Sequence, residues 1–272
     1  MKRDAVAASL VAYSDSESDV EKPSPEPPPP PAKKRKLPTL SNTLSGPKHI
    51  DDPSQHQGRT RSTPHVDGQW ATHIYAHVLP DSTFVKLVQH IIDAARTVVP
   101  SLHSLVSPGQ GEDGPSEQEP ELHVSLSRPI FLRAEQREEF RNEVRKIAAG
   151  TSRFAASFAR ISSLTNDDNT RIFLVLEIGA GHPELSAFTN ALTPLLQTIR
   201  QKEYYASPRF HASIGWALET TPTGSKISAF PETLLPMLNE RYSARLSATS
   251  SMCDIAEVGV RIGKMVTLCP LQ

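Results

Sequence analysis

The chain has 272 residues, with 29 Lys and Arg set against 30 Asp and Glu, and it carries 24 prolines and two cysteines. A net charge near zero excludes a protein that wraps nucleic acid by bulk charge, so any RNA contact has to come from a local patch. Two cysteines alone cannot build a disulfide framework or a zinc site, and there is neither an apolar run near ~18 residues nor a signal-peptide core, so the sequence reads as soluble and intracellular, with Cys253 and Cys269 as small buried residues.

Residues 1–65 read as a disordered tail. Eleven of the 24 prolines fall between Pro23 and Pro64. Ser14 to Asp19 is acidic and serine-rich, a composition that suits phosphorylation. The run Pro27 to Pro31 favours polyproline II and cannot enter a sheet. Lys33, Lys34, Arg35 and Lys36 follow, flanked by prolines. This basic cluster reads as a nuclear import signal for an import receptor, with a weak nucleic-acid patch as the alternative. Residues 66–272 are left as one domain, long enough for a real core.

Order is expected to begin near Gln69. Trp70 to Val78 is aromatic and β-branched and predicts a strand. His73 and His77 share a face of it, but no acidic or Cys partner lies nearby in sequence. They are read as surface or half-buried histidines rather than metal ligands. Asp81 offers an N-cap to a helix with Phe84, Leu87, Val88, Ile91, Ile92 and Ala95 at helical spacing, ending before Pro100. Residues 107–120 form an acidic loop. A short strand at Leu122–Leu126 is followed by Ile130–Arg133, then by an amphipathic helix from Ala134 to Ala149. Phe154–Leu164 and Arg171–Ile178 predict a hairpin around the turn Thr165–Asn169. A helix from Pro183 to about Lys202, a strand from Phe210, a helix from Phe230 to Leu246 and one or two closing strands between Asp254 and Leu268 complete the order. The helix–strand units fall into two similar halves, which predicts two lobes with a cleft between them.

Each half carries one His-x-Ser strand. In Leu122-His123-Val124-Ser125-Leu126, His123 and Ser125 share one face and the apolar residues share the other. In Phe210-His211-Ala212-Ser213-Ile214, His211 and Ser213 do the same. Side chains at i and i+2 lie about 6.5–7 Å apart along a strand. A bare His-x-Ser is a weak signal, and a satisfied structural histidine is the plain alternative. If the two strands lie side by side, however, two imidazoles and two hydroxyls converge on one phosphate. Two histidines with pKa values near neutrality can hold opposite protonation states, one taking the proton of a ribose 2′-hydroxyl and one protonating the leaving 5′-oxygen. Two serine hydroxyls can hold the non-bridging oxygens. The chemistry asks for no metal and no cofactor. His123 is read as base and His211 as acid, the exchanged assignment staying open.

The paired motifs resemble the 2H phosphoesterase superfamily. More specifically, the sequence is similar to the U6 small nuclear RNA phosphodiesterase family. The likeness rests on Leu10–Asp15, Trp70–Thr72, Leu122–Arg128, Asn169–Leu174 and Tyr205–Trp216. It implies an α+β, bilobal 2H phosphoesterase fold, with two mainly antiparallel sheets facing a central cleft, helices outside and a disordered N-terminal tail. It also implies a nuclear location and metal-independent 3′–5′ trimming of the uridine tail of U6 RNA to a 2′,3′-cyclic phosphate or its ring-opened monophosphate; a monomer is the default expectation. By the same resemblance His123 and His211 are catalytic, and Ser125 and Ser213 bind phosphate. An aromatic six residues before the second histidine stacks on the terminal base. That position is Tyr205, with Tyr204 as the neighbouring alternative, and Arg209 and Phe210 complete the stretch expected to meet RNA. Two rival readings use the same residues: a cyclic phosphodiesterase of small nucleotides, and a non-catalytic RNA-binding splicing factor.

Overall fold

The computed structural model describes residues 57–58, 63, 66–106, 122–219 and 228–272, all within one compact unit, His49–Gln272. The basic cluster at 33–36 and the acidic segment 107–120 lie outside the described residues. In chain order the elements are β1 (Gln69–Val78), α1 (Ser82–Val98), β2 (His103–Ser104), β3 (Leu122–Ser125), β4 (Ile130–Arg133), α2 (Arg137–Ala149), β5 (Phe154–Ala156) and β6 (Phe158–Thr165). β7 (Arg171–Ile178), α3 (His182–Thr198), β8 (His211–Leu218), α4 (Leu234–Leu246), β9 (Cys253–Ile255), β10 (Glu257–Ile262) and β11 (Met265–Pro270) follow.

Local sequence accounts for the boundaries. The Asp81 carboxylate accepts from the Phe84 N–H at 2.6 Å and opens α1, whose buried residues are the six apolar positions expected. Gly181 turns the chain into α3 at φ 92°, a left-handed conformation that a glycine adopts without penalty. β6 is an edge strand, and Asn239 of α4 covers it. The Asn239 Oδ1 accepts from the Ile161 N–H at 2.9 Å, and its Nδ2 donates to the Ile161 carbonyl at 2.7 Å.

All pairings are antiparallel, in the order β11-β10-β1-β3-β8-β7-β6, with β4 on β1 and β2 on β8. A separate pair, β5 with β9, closes one side. The two sheets expected of the lobes are therefore continuous. One half-sheet (β11, β10, β1, β3) meets the other (β8, β7, β6) through a single residue pair, Val124 with Ala212. The α+β, bilobal antiparallel plan holds, and the lobes join at the strands that carry the two motifs.

The lobes are not successive halves of the chain, which corrects the sequence reading. α2 packs on β10 and β11, and α3 packs on α2. α1 instead crosses to pack on β8 and α4, and α4 packs on β6. Periodicity finds the elements but says nothing of which sheet each one joins. The core lies between helices and sheet, with Phe84, Phe140, Phe158 and Phe210 among its largest fully buried side chains. Cys253 and Cys269 are both buried, and neither forms a disulfide. Among the described residues no helix is long and apolar enough to cross a membrane.

Candidate active site

The site starts from one backbone pairing. Val124 of β3 lies opposite Ala212 of β8, and both side chains are fully buried. In an antiparallel ladder the residues on either side of such a pair also oppose each other and point to the other face. On that register His123 lies on the Ser213 side of the pair and Ser125 on the His211 side, all four on the shared face. The two histidines lie on one diagonal of this square and the two serines on the other. A diagonal of about 7–8 Å leaves room for a phosphoryl group between the rings.

β1 supplies the floor beside β3, where His73 is half-buried as expected and His77 is buried. His73 is not a bystander: its Nε2 lies 3.0 Å from the Ser125 Oγ, and its ring meets that of His123 edge-on at 5.6 Å. Tyr75 lies opposite Ser125, its ring 5.3 Å from His123 and 5.5 Å from His73. Gly259 on β10 makes space for that ring, because a Cβ there would sit 2.3 Å from the Tyr75 Cζ. His77 lies opposite His123, buried, with its Nδ1 3.5 Å from a Glu257 carboxylate oxygen. The alternation of His73, Tyr75 and His77 on one strand was the available signal. Their neighbour β3 could not be read from it.

Electrostatics separate the two motif histidines. The protein packed around its ring pushes His123 down from 6.5 to about 4, helped by the charges of Arg261, His211 and His77, although the residue as a whole is exposed to solvent. Burial, then His123 and Arg261, does the same to His73, also to about 4. Both rings are neutral at pH 7. Burial also lowers His211, but the carbonyl of Arg209 and the carboxylate of Glu177 work in the opposite direction. The His211 Nδ1–H donates to that carbonyl at 2.6 Å, which fixes the tautomer and leaves Nε2 to exchange a proton.

Glu177, opposite His211 on β7, anchors this side. It is 8% exposed, and its Oε2 accepts from the Arg160 Nε at 2.6 Å while Oε1 accepts from Arg209. Burial alone would raise the carboxyl, but hydrogen bonds from Arg209, Arg160 and Ser162 outweigh it and hold it below the usual range. Arg209, expected to meet RNA, thus has its guanidinium committed to Glu177 and to the Ser162 Oγ at 2.9 Å. It lines the cleft and positions His211 through its backbone.

Next to the β8 half of the square lies an open cleft of about 900 Å³, lined by His211, Ser213, Arg209, Tyr204, Tyr205 and Arg128 among others. Tyr205 is 45% exposed there, and the Arg128 guanidinium lies 3.9 Å from its ring centroid, covering one face. Tyr204 stacks on Phe210 at 5.6 Å and 15°, and its hydroxyl donates to the Ser125 carbonyl at 2.9 Å. It is a strut tying the loop to the first motif, and burial raises its phenol to about 12. Phe210 was expected at the RNA surface. That expectation is wrong, since Phe210 is 1% exposed beneath Tyr204 and belongs to the core. Among the described residues no group of three or more His, Cys, Asp or Glu is arranged to hold a metal ion. The arrangement can pass a proton in at one imidazole and out at the other while hydroxyls hold the oxygens between them.

Comparison with known proteins agrees with this architecture. The family model described as "HVSL: Uncharacterised conserved protein" matches residues 28–270. U6 snRNA phosphodiesterase 1 of Drosophila melanogaster is 30% identical over 222 residues, covering 74% of this chain and 78% of the relative. That of Neurospora crassa is 29% identical over 248 residues, covering 80% and 68%. The chain spans somewhat less of the rat and mouse relatives, 62% and 65% of their lengths. Among solved structures, Usb1 of Kluyveromyces marxianus superposes with a TM-score of 0.51 at 17% identity, covering 74% of this chain and 98% of that one, and so shares the fold. By the extent of the family match and by its likeness to the Drosophila relative, the chain belongs to the HVSL family, that of U6 snRNA phosphodiesterase 1.

Proposed function

We propose that this protein is a 3′–5′ exoribonuclease that shortens the 3′ uridine tail of U6 snRNA by attack of a 2′-hydroxyl on the adjoining phosphate. The observation that supports the reading is the Val124–Ala212 pair, which brings the two motif strands together beside an open cleft of about 900 Å³, wide enough for a nucleoside. The substrate follows the names of the relatives, and it suits a cleft whose fold neighbour from Kluyveromyces marxianus is also solved with uridine monophosphate.

The direction of the substrate follows from the cleft. His211 and Tyr205 line it, so the terminal nucleoside sits there, its base on the uncovered face of Tyr205. His211 then stands beside the leaving 5′-oxygen. As an imidazolium it gives its Nε2 proton to that oxygen while Nδ1–H stays on the Arg209 carbonyl. His123, neutral above about pH 4, takes the proton of the penultimate 2′-hydroxyl. The 2′-oxygen–phosphorus bond forms, the bond from phosphorus to the 5′-oxygen breaks, and the terminal uridine leaves with a 5′-hydroxyl. Ser125 and Ser213 hold the non-bridging oxygens. The shortened RNA keeps a 2′,3′-cyclic phosphate, or the monophosphate produced when the same pair activates water. No step asks for a metal.

In the same reading the protein works in the nucleus as a monomer, with Lys33, Lys34, Arg35 and Lys36 recognised by an import receptor. Purified protein incubated with 3′-hydroxyl oligouridine in EDTA should shorten it stepwise, and His211→Ala should not. Absence of shortening by the wild type, or shortening that the variant leaves untouched, would end the proposal.

A further inference from the structure

The face that carries the motifs continues past β3, away from the cleft. β10 presents Arg261 opposite His73 and Gly259 opposite Tyr75. β11 presents Val266 opposite Arg261 and Leu268 opposite Gly259. Opposed residues of an antiparallel pair share a face. Since Tyr75 also opposes Ser125, Arg261, Val266 and Leu268 lie on the face of His123 and Ser125. The helices pack elsewhere: α2 covers the other side of β10 and β11, where Val258, Val260, Ile262 and Cys269 are buried. Val266 and Leu268 are instead 42% and 43% exposed, and Arg261 is exposed between them and the active histidines.

With the terminal nucleoside in the cleft on the β8 side, the RNA upstream of the scissile phosphate has to leave in the other direction, over β1, β10 and β11. β10 is two strand spacings, about 9–10 Å, from β3, a span that an extended arginine partly closes. The guanidinium is near enough to the centre that its charge reaches both His73 and His123. The carboxylate on the same face of β10, Glu257, lies four residues from Arg261 along the strand and is engaged by His77.

We propose that Arg261, Val266 and Leu268 form a subsite for the nucleotide one further upstream, on the 5′ side of the one that supplies the attacking 2′-hydroxyl. Arg261 takes the phosphate next on the 5′ side of the scissile one, and Val266 and Leu268 give the upstream base an apolar floor. The inference rests on the exoribonuclease reading and gives the enzyme a grip on RNA of three nucleotides or more that a dinucleotide cannot use.

The test is equilibrium binding of the full chain to UpU and UpUpU, each with a 2′-deoxy sugar at the attacking position so that neither is cut. UpU has the scissile phosphate alone, and UpUpU adds one upstream. Wild type should bind UpUpU more tightly. Arg261→Gln should weaken UpUpU about tenfold and UpU far less, and the salt dependence of UpUpU binding should become shallower by about 0.7 in log–log slope, the value of one phosphate contact on a single strand. Arg261→Lys should keep the slope. Leu268→Ser should weaken UpUpU a few-fold and leave the slope alone. Equal losses for both RNAs, or an unchanged slope in Arg261→Gln, would overturn the subsite. Unchanged UpUpU affinity in both Arg261→Gln and Leu268→Ser would likewise overturn it. Wild type that never shortens oligouridine defeats the exoribonuclease reading itself, whereas shortening with length-independent losses defeats only the subsite.

Discussion

His211 and His123 sit diagonally on the same square but in unlike surroundings. His123, exposed at the surface of the cleft face, has its ring partly desolvated and cationic neighbours around it, while His211 has a carbonyl on Nδ1 and a carboxylate across the strand. The base must be neutral, so the acid limb of kcat/KM should lie well below 6.5, toward the value of about 4 to which His123 is lowered. The acid must be protonated, and His211 is lowered, so the alkaline limb should fall below its ordinary 6.5, with both limbs belonging to the coupled pair. Glu177→Gln removes a charge that raises His211, so it should move the alkaline limb to lower pH. A limb that does not move would remove Glu177 from the site. His123→Ala and His211→Ala should each cost about 10²–10⁴-fold, the usual range for one acid–base group, and Ser125→Ala about 10²–10³-fold or less. Single-turnover rates on oligouridine measure all three. The motif residues were legible because period-2 alternation separates the polar from the apolar face. Glu177 was not, because one carboxylate in an apolar strand gains meaning only from the arginines that other elements bring to it.

At the scale of elements, two features hold the square in shape. β1 and β10 support His123 through Tyr75, whose ring lies where a side chain at position 259 would be. In Gly259→Ala the ring has to swing away, an overpacking change worth about 1–3 kcal/mol. Thermal unfolding should show that loss together with a lower turnover rate, and a fully active variant would mean that the Tyr75 ring does not matter to His123. The loop before β8 is the second support, with Tyr204 pinned to the first motif and Tyr205 left facing the cleft. Base stacking contributes roughly 1–3 kcal/mol, so Tyr205→Ala should raise KM for oligouridine by about 5–150-fold while Tyr205→Phe keeps most of the affinity. Equal affinities in all three proteins would show that no base stacks there. Helix and strand identities were readable from spacing and caps. The two-residue strand β2 was not, since two residues carry no period, and the split of Phe154–Thr165 into β5 and β6 depends on a distant partner, β9.

Across the whole molecule, the chain crosses repeatedly between its lobes, so neither lobe is built from one continuous segment. That interleaving was invisible in the sequence, because binary patterning reports which face is buried and not against what. Having the paired motifs at the junction of the lobes ties stability to the histidines there. His73 and His123 fall from 6.5 to about 4 on folding, so the unfolded chain binds more protons between those values. Their contribution is intact above about 6.5 and is lost as pH falls toward 4. The melting temperature should drop over that interval, and His73→Gln should flatten part of the drop. Identical pH dependence in the variant and the wild type would mean that His73 does not change its protonation on folding.

The most direct test of the account is the chemistry of both products of a single cut. Mass spectrometry of 3′-hydroxyl oligouridine after reaction in EDTA should show uridine released with a free 5′-hydroxyl, and the phosphate retained on the shortened RNA as a 2′,3′-cyclic ester or its opened monophosphate. Release of uridine 5′-monophosphate from an RNA left with a 3′-hydroxyl would contradict it, because that outcome needs water rather than the neighbouring 2′-oxygen as the nucleophile.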